Sequence, residues 1–201
     1  MAAVLLVLVC PAAAQRRFDV TPLFGYRSPL ITDIEKDGQS GGEARLAADS
    51  SVGLAAGVRW EDTAVVEFRF TRQNTQTAFT GIPLPQAAPL LSTRLEQYHA
   101  DFTREFPLEN APGVRPFLTG SVGLTRFAWP GRSTSRMSFG PGGGWKYFPV
   151  KWFGLRVQAQ WLPVWLNPQV KGLVCGAGCV VVIGGKLADQ FEVSFGPTFS
   201  F

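Results

Sequence analysis

The chain has 201 residues, enough for one domain with a full core; its 46% hydrophobic and 17% charged residues, with 22 Gly and 15 Pro, read as all-β with many turns. The net charge of +4, from 14 Arg and 5 Lys against 15 acids, is too mild and too scattered to mark a nucleic-acid binder. No basic run interleaves with a stacking platform, so nucleic acid is not expected as a partner.

Residues 1–14 read as a signal peptide and are set aside from the fold. "AAVLLVLVC" is an apolar stretch of about nine residues, short of the ~20 that a membrane helix needs. "PAAAQ" follows, in which Ala12 and Ala14 make an A-x-A cleavage site before Gln15. No Lys or Arg precedes the apolar stretch, so either the Met1 amino group serves alone or the true start lies upstream. Cys10 raises a lipoprotein reading, but Leu8 and Val9 are not the small residues of a lipobox. The expectation is an exported protein whose residues 15–201 form one domain. No later segment is long and apolar enough for a transmembrane helix, so membrane residence would require a closed barrel.

Eight segments then alternate with a period of two, the mark of strands with one apolar and one polar face. Phe18, Val20, Pro22, Phe24 and Tyr26 oppose Asp19, Thr21 and Gly25; Leu54, Ala56, Val58 and Trp60 oppose Gly53, Ala55, Gly57 and Arg59. Val66, Phe68 and Phe70 oppose Glu67, Arg69 and Thr71. Tyr98, Ala100, Phe102 and Phe106 oppose Gln97, His99, Asp101, Thr103 and Glu105. "RPFLTGSVGLTRF" is less regular, with Leu118, Val122 and Leu124 on the apolar face. "MSFGPGGGWKYF" sets Phe139, Trp145 and Tyr147 against Ser138, three Gly and Lys146, and "LRVQAQW" sets Leu155, Val157, Ala159 and Trp161 against Arg156, Gln158 and Gln160. The eighth is "QFEVSFGPTFSF", with Phe191, Val193, Phe195, Pro197, Phe199 and Phe201 against Glu192, Ser194, Gly196 and Thr198.

Short turns are expected at 60–64, 106–115 and 148–153, and longer connections at 28–43, 73–94, 129–136 and 163–188. Short turns at one end and long loops at the other, with an even strand count, is the layout of an outer-membrane barrel. The alternative is a soluble lipocalin-like binding barrel, whose polar face meets water. Here that face carries mainly Gly, Ser, Thr and Gln, suited to the cramped interior of eight strands. Its few charges have both signs: Asp19, Glu67, Asp101, Glu105 and Glu192 against Arg59, Arg69, Lys146 and Arg156. Buried charges must be paired, so these residues, with His99, are expected to form a lumen ion network. Aromatics near strand ends (Trp60, Phe106, Tyr147, Phe148 and Trp152 at the short turns; Phe127, Trp129 and Trp161 at the other end) are expected to form two interfacial girdles. Pro22, Pro116, Pro141 and Pro197 each remove a ladder donor; Pro116 can open its strand, and bulges or strand ends are expected at the others.

"RPFLTGSVGLTRF", "GPGGGWKYFPVKWFGLRVQAQW" and the closing "FEVSFGPTFSF" together resemble the small outer-membrane β-barrel proteins of the OmpA/OmpX/OmpW-like, porin-like kind, over about Phe18 to Phe201. The resemblance implies an eight-stranded antiparallel up-and-down transmembrane β-barrel with short periplasmic turns and long extracellular loops. It also implies that Phe195, Phe199 and Phe201 form a C-terminal signal read by the barrel-assembly machinery, and that outer-membrane lipid surrounds the apolar face.

The residues that might carry chemistry each have a simpler reading. His99 and Asp101 share the polar face and would need a Ser such as Ser121 or Ser138 to make a lipid-modifying enzyme; a His hydrogen-bonded within the lumen is the plainer account. Glu67 and Arg69 would either gate a narrow pore for small solutes or ions, or plug the barrel, and the plug is expected. Cys175 and Cys179 flank "GAG" in the last long loop and, in an exported protein, are expected to form a disulfide rather than a metal site. "GPGGG" lacks the Lys and helix of a phosphate loop. A monomeric, non-enzymatic barrel with a structural or passive role, needing no cofactor or metal, is the resulting expectation.

Overall fold

Alternation sets which side chains share a face, and the pairing of strands sets what that face encloses. The computed structural model describes residues 18–36, 39–80, 91–165, 173–175, 179–183 and 187–201; the expected signal peptide, 1–14, lies outside them. The strands in chain order are β1 (Phe18–Arg27), β2 (Leu30–Lys36), β3 (Gln39–Leu46), β4 (Asp49–Glu61), β5 (Ala64–Thr80), β6 (Leu91–Glu105) and β7 (Val114–Trp129). They continue with β8 (Arg132–Val150), β9 (Phe153–Trp161), β10 (Val164–Trp165), β11 (Leu173–Cys175), β12 (Cys179–Ile183), β13 (Leu187–Ala188) and β14 (Phe191–Ser200).

Eight of these close a ring of antiparallel pairs, β1–β4–β5–β6–β7–β8–β9–β14 and back to β1. The others prolong the wall at one end: the β2–β3 hairpin pairs onto β5, β10 bridges β8 and β13, and β12 adds to β2. That end is called the loop end below, and the other the turn end.

The barrel wears its apolar face outward. Phe68, Phe102, Trp145 and Phe195 are 56–61% exposed, while Glu67, Asp101, Lys146 and Glu192 are at most 2% exposed. A soluble binding barrel has the reverse arrangement, because water on an outer wall of Phe, Trp and Val would oppose folding.

Three expectations are corrected. The connection placed at 129–136 is a two-residue turn, Pro130–Gly131, between β7 and β8, and Gly131 takes the positive φ of 78° that such a turn requires. Conversely, the turn-end connection between β6 and β7 runs from Phe106 to Gly113 and carries its own Leu108–Ala111 bridge. Phe127 and Trp129 do not belong to an outer girdle. Phe127 shares the inward face with the buried Thr125, and Trp129 stacks on it with ring centroids 6.3 Å apart. Trp60, Phe106, Tyr147 and Trp152 are exposed at the turn end.

The prolines occupy specific gaps. Phe18 of β1 donates to Phe201 O, and Phe201, just past β14, donates back to Phe18 O, so N–H groups of the same parity as Pro22 and Pro197 point into the β1–β14 seam. The seam pairs Val20 with Phe199 and resumes only at Phe24 with Phe195, whereas Pro22 and Pro197 keep register with β4 and β9 on their other sides. The missing donors therefore fall on the closure seam. Thr21 and Thr198 bridge the interruption from inside with a 2.8 Å hydroxyl hydrogen bond. The chains approach so closely there that a Cβ on Gly196 would lie 1.7 Å from Pro22 O, which only glycine tolerates. Pro116 stands near the start of β7, and Pro141 lies just beyond the β8–β9 ladder, which begins at Gly142.

Candidate functional site

Inward-facing polar residues from all eight barrel strands meet in the lumen. At the turn end, Glu67 of β5 accepts a two-pronged bond from Arg156 of β9, 2.7 Å from Nη1 to Oε1 and 2.9 Å from Nη2 to Oε2. Thr103 also donates to Glu67 at 3.2 Å, and Arg156 Nε donates to Gln158 at 2.8 Å. Lys146 of β8 reaches Glu105 at 3.0 Å, Glu67 at 3.5 Å and Asp19 at 3.8 Å. Arg59 of β4 holds Glu105 at 2.8 and 3.2 Å and lies 3.5 Å from Asp19. Three cations and three carboxylates thus interlock, with Arg115 joining Glu105 from the rim at 3.3 Å. Paired geometry of this kind is what allows charge to persist away from water.

Glu67 and Arg69, neighbours on one face, take different partners. Arg69 stands opposite His99 in the β5–β6 register and pairs diagonally with Asp101, 2.7 Å from Nε to Oδ2. His99 is sandwiched between two hydroxyls, Ser121 at 2.9 Å from Nδ1 and Ser138 at 2.8 Å from Nε2, with Thr125 donating on to Ser138 at 2.9 Å. A hydrolytic triad needs a carboxylate on the far ring nitrogen to orient the base. Here that nitrogen faces Ser121 and the Arg69 guanidinium, 3.4 Å away, and Asp101 is engaged by Arg69. The arrangement suits a hydrogen-bonded core histidine.

Nearer the loop end, Arg27 pairs with Glu192 and donates to Thr71, while Thr71 donates to Gln97 at 3.4 Å. Gln190 and Gln73 join at 3.3 Å. Among the described residues the enclosed lumen charges therefore balance: Arg27, Arg59, Arg69, Lys146 and Arg156 against Asp19, Glu67, Asp101, Glu105 and Glu192.

Three features escaped the reading of the sequence. Arg27 continues the inward parity of Asp19, Thr21 and Gly25, and that parity was the signal for it. Phe117 is an inward aromatic, 2% exposed, with the Arg156 guanidinium 5.0 Å and the Lys146 ammonium 5.7 Å from its ring centre, a cation–π arrangement inside the network. Above the polar lumen sits an apolar cap of Leu30, Leu46, Leu95, Phe127, Val164 and Ala188. No motif announces it, because its members come from six different strands.

At the tail, Phe195 is 59% and Phe201 76% exposed on the outer wall, and Phe199 packs against Phe153 with ring centroids 5.7 Å apart. The β11–β12 register sets Cys175 opposite Cys179; their side chains lie outside the described residues. Among the described residues, no group of three or more His, Cys, Asp and Glu is placed to hold a metal ion.

No protein-family model matches the chain, and no curated protein sequence does either. Solved structures do. Neisserial surface protein A is similar with a TM-score of 0.60 at 18% identity, over 92% of this chain and 97% of that one. The outer membrane protein OprG from Pseudomonas aeruginosa is similar with a TM-score of 0.61 at 14% identity, over 92% and 96%. The outer membrane protein AlkL, solved by solid-state NMR in DMPC lipid bilayers, is similar with a TM-score of 0.52 at 13% identity, over 96% and 94%. The fold of this chain is that of the small eight-stranded outer-membrane barrels.

Proposed function

We propose that the protein is an integral outer-membrane barrel with a structural role, a monomer whose lumen is plugged and conducts neither solutes nor ions. One observation carries this reading: the lumen holds five cations and five carboxylates paired with one another, beneath an apolar cap. An ion entering such a lumen must displace a bonded partner in a low-dielectric space, at a cost of several kcal/mol. The outward aromatic and aliphatic wall then meets lipid, and the protein performs no catalysis.

The experiment is single-channel recording of the refolded mature chain in a planar bilayer, with insertion verified by heat-dependent mobility in a denaturing gel. The expected record is silent. Discrete, reproducible steps would contradict the plug and make Glu67, Arg69, Arg156 and Glu192 the pore lining. In the same reading the assembly machinery recognises Phe195, Phe199 and Phe201. Removal of Phe201 also deletes its two backbone bonds to Phe18, of 2.9 and 3.1 Å, so less barrel is expected to reach the outer membrane; undiminished insertion would argue against the role of the tail.

A further inference from the structure

On the outer wall at the loop end, the change from apolar to charged falls on the same register row across three adjacent strands. Phe70, Tyr98 and Leu124 stand opposite one another on β5, β6 and β7, and the next outward row is Arg72, Glu96 and Arg126. Arg94 follows one outward position further along β6. The geometry points to a binding site on this wall for the phosphorylated headgroup of a membrane lipid in the leaflet at the loop end, an inference that rests on the membrane reading above.

Outward charges near the middle of a bilayer cost about 2–4 kcal/mol each but close to nothing at its interface. Three arginines on adjoining strands therefore mark the headgroup level, directly above rings that line the acyl region. Strands lie about 4.8 Å apart, so Arg72 and Arg126 start roughly 10 Å from each other on either side of Glu96. Guanidinium groups favour phosphate oxygens through paired, planar bonds.

The charges are unbalanced here in a way they are not at the other end. Arg126 lies 3.6 Å from Glu96, whose other neighbour is the Tyr98 hydroxyl at 3.4 Å. Arg72 is steadied by Asn74 at 3.3 Å, and among the described residues Arg94 has no carboxylate partner. One carboxylate thus faces three guanidiniums. At the turn end the outward Arg104 is matched by Glu61 at 3.2 Å. A phosphate would supply the missing negative charge, while Phe70 and Tyr98, paired at 5.1 Å between centroids, flank the upper part of its acyl chains.

The test is native mass spectrometry of the refolded full chain released from phosphatidylcholine nanodiscs containing a minor fraction of diphosphorylated lipid A as probe. The wild type is expected to retain the probe in preference to phosphatidylcholine. Arg72→Gln with Arg126→Gln should lower its retention about tenfold, and Glu96→Gln, which removes the competing carboxylate, should raise it severalfold. Arg104→Gln, at the turn end, serves as a control for net charge. Equal retention by the wild type and the double variant, or an equal loss in Arg104→Gln, would overturn the site. Probe loss in the wild type on adding millimolar inorganic phosphate would show that free anion, not lipid, is preferred, and would overturn it as well. Gel mobility of each sample separates the two levels: a wild type that does not insert defeats the membrane reading, whereas inserted protein without selective retention defeats only this inference.

Discussion

The two halves of the lumen solve the same packing problem with opposite chemistry. At the turn end the inward positions hold Asp19, Arg59, Glu67, Glu105, Lys146 and Arg156, every one at most 9% exposed; at the loop end they hold Leu30, Leu46, Leu95, Phe127 and Val164, all similarly buried. Leu95, Phe127 and Val164 continue the inward parity of Gln97, Thr125 and Gln160, so there parity decides inside from outside but not polar from apolar. The ionic half is enclosed by the strands that also form the ring, where fixed backbones hold long side chains in register. The apolar half lies where β2, β3, β10 and β13 prolong the wall, and side chains from these short strands pack with Leu95 of β6 and Phe127 of β7 without needing directional partners. Directional bonding is affordable where the scaffold is closed, and non-directional burial serves where it is assembled from pieces.

Substitutions can break either half of that contrast. The largest effect is expected from Glu67→Ala, which strips Arg156 and Lys146 of their shared carboxylate; leaving buried cations uncompensated costs about 3–5 kcal/mol. Urea unfolding followed by tryptophan fluorescence would read it, and a loss below 1 kcal/mol would show that water reaches the network. Leu95→Ala, fully enclosed in the cap, should cost about 2–4 kcal/mol through lost burial and the cavity left behind, with the ionic half undisturbed. Smallest is Thr21→Val, which deletes the 2.8 Å bond to Thr198 across the proline gap and should cost about 1 kcal/mol. A much larger loss would mean that this one hydroxyl pair closes the seam.

Much of this architecture is legible from alternation alone. Strand existence and facing follow from positions such as Phe68 against Glu67, because a period of two is a local property of the backbone. The lumen residues could be named for the same reason, but their partners could not: Glu67 meets Arg156, 89 positions away, and nothing local specifies that meeting. Phe127 shows the opposite failure. An aromatic near a strand end suggested an interfacial girdle, yet its parity with Thr125 turns it inward, and parity, imposed by the pleat, wins over composition. The tight Pro130–Gly131 turn was missed because β8 begins with five residues, Arg132 to Arg136, that are polar on both faces, which alternation does not reveal. The Pro22–Pro197 gap needed both ends of the chain in view at once.

The closed lumen is the central claim, and thiol accessibility tests it most directly. Thr71, 1% exposed between the ionic network and the cap, would be replaced by Cys in a chain whose Cys175 and Cys179 are changed to Ser, with Ser133→Cys at the exposed rim as reference. After refolding into bilayers, a small charged methanethiosulfonate should label the rim position promptly and leave position 71 unlabelled until the protein is unfolded. Labelling at both positions at similar rates would mean that water and ions pass through the barrel, and the plugged lumen would have to be abandoned.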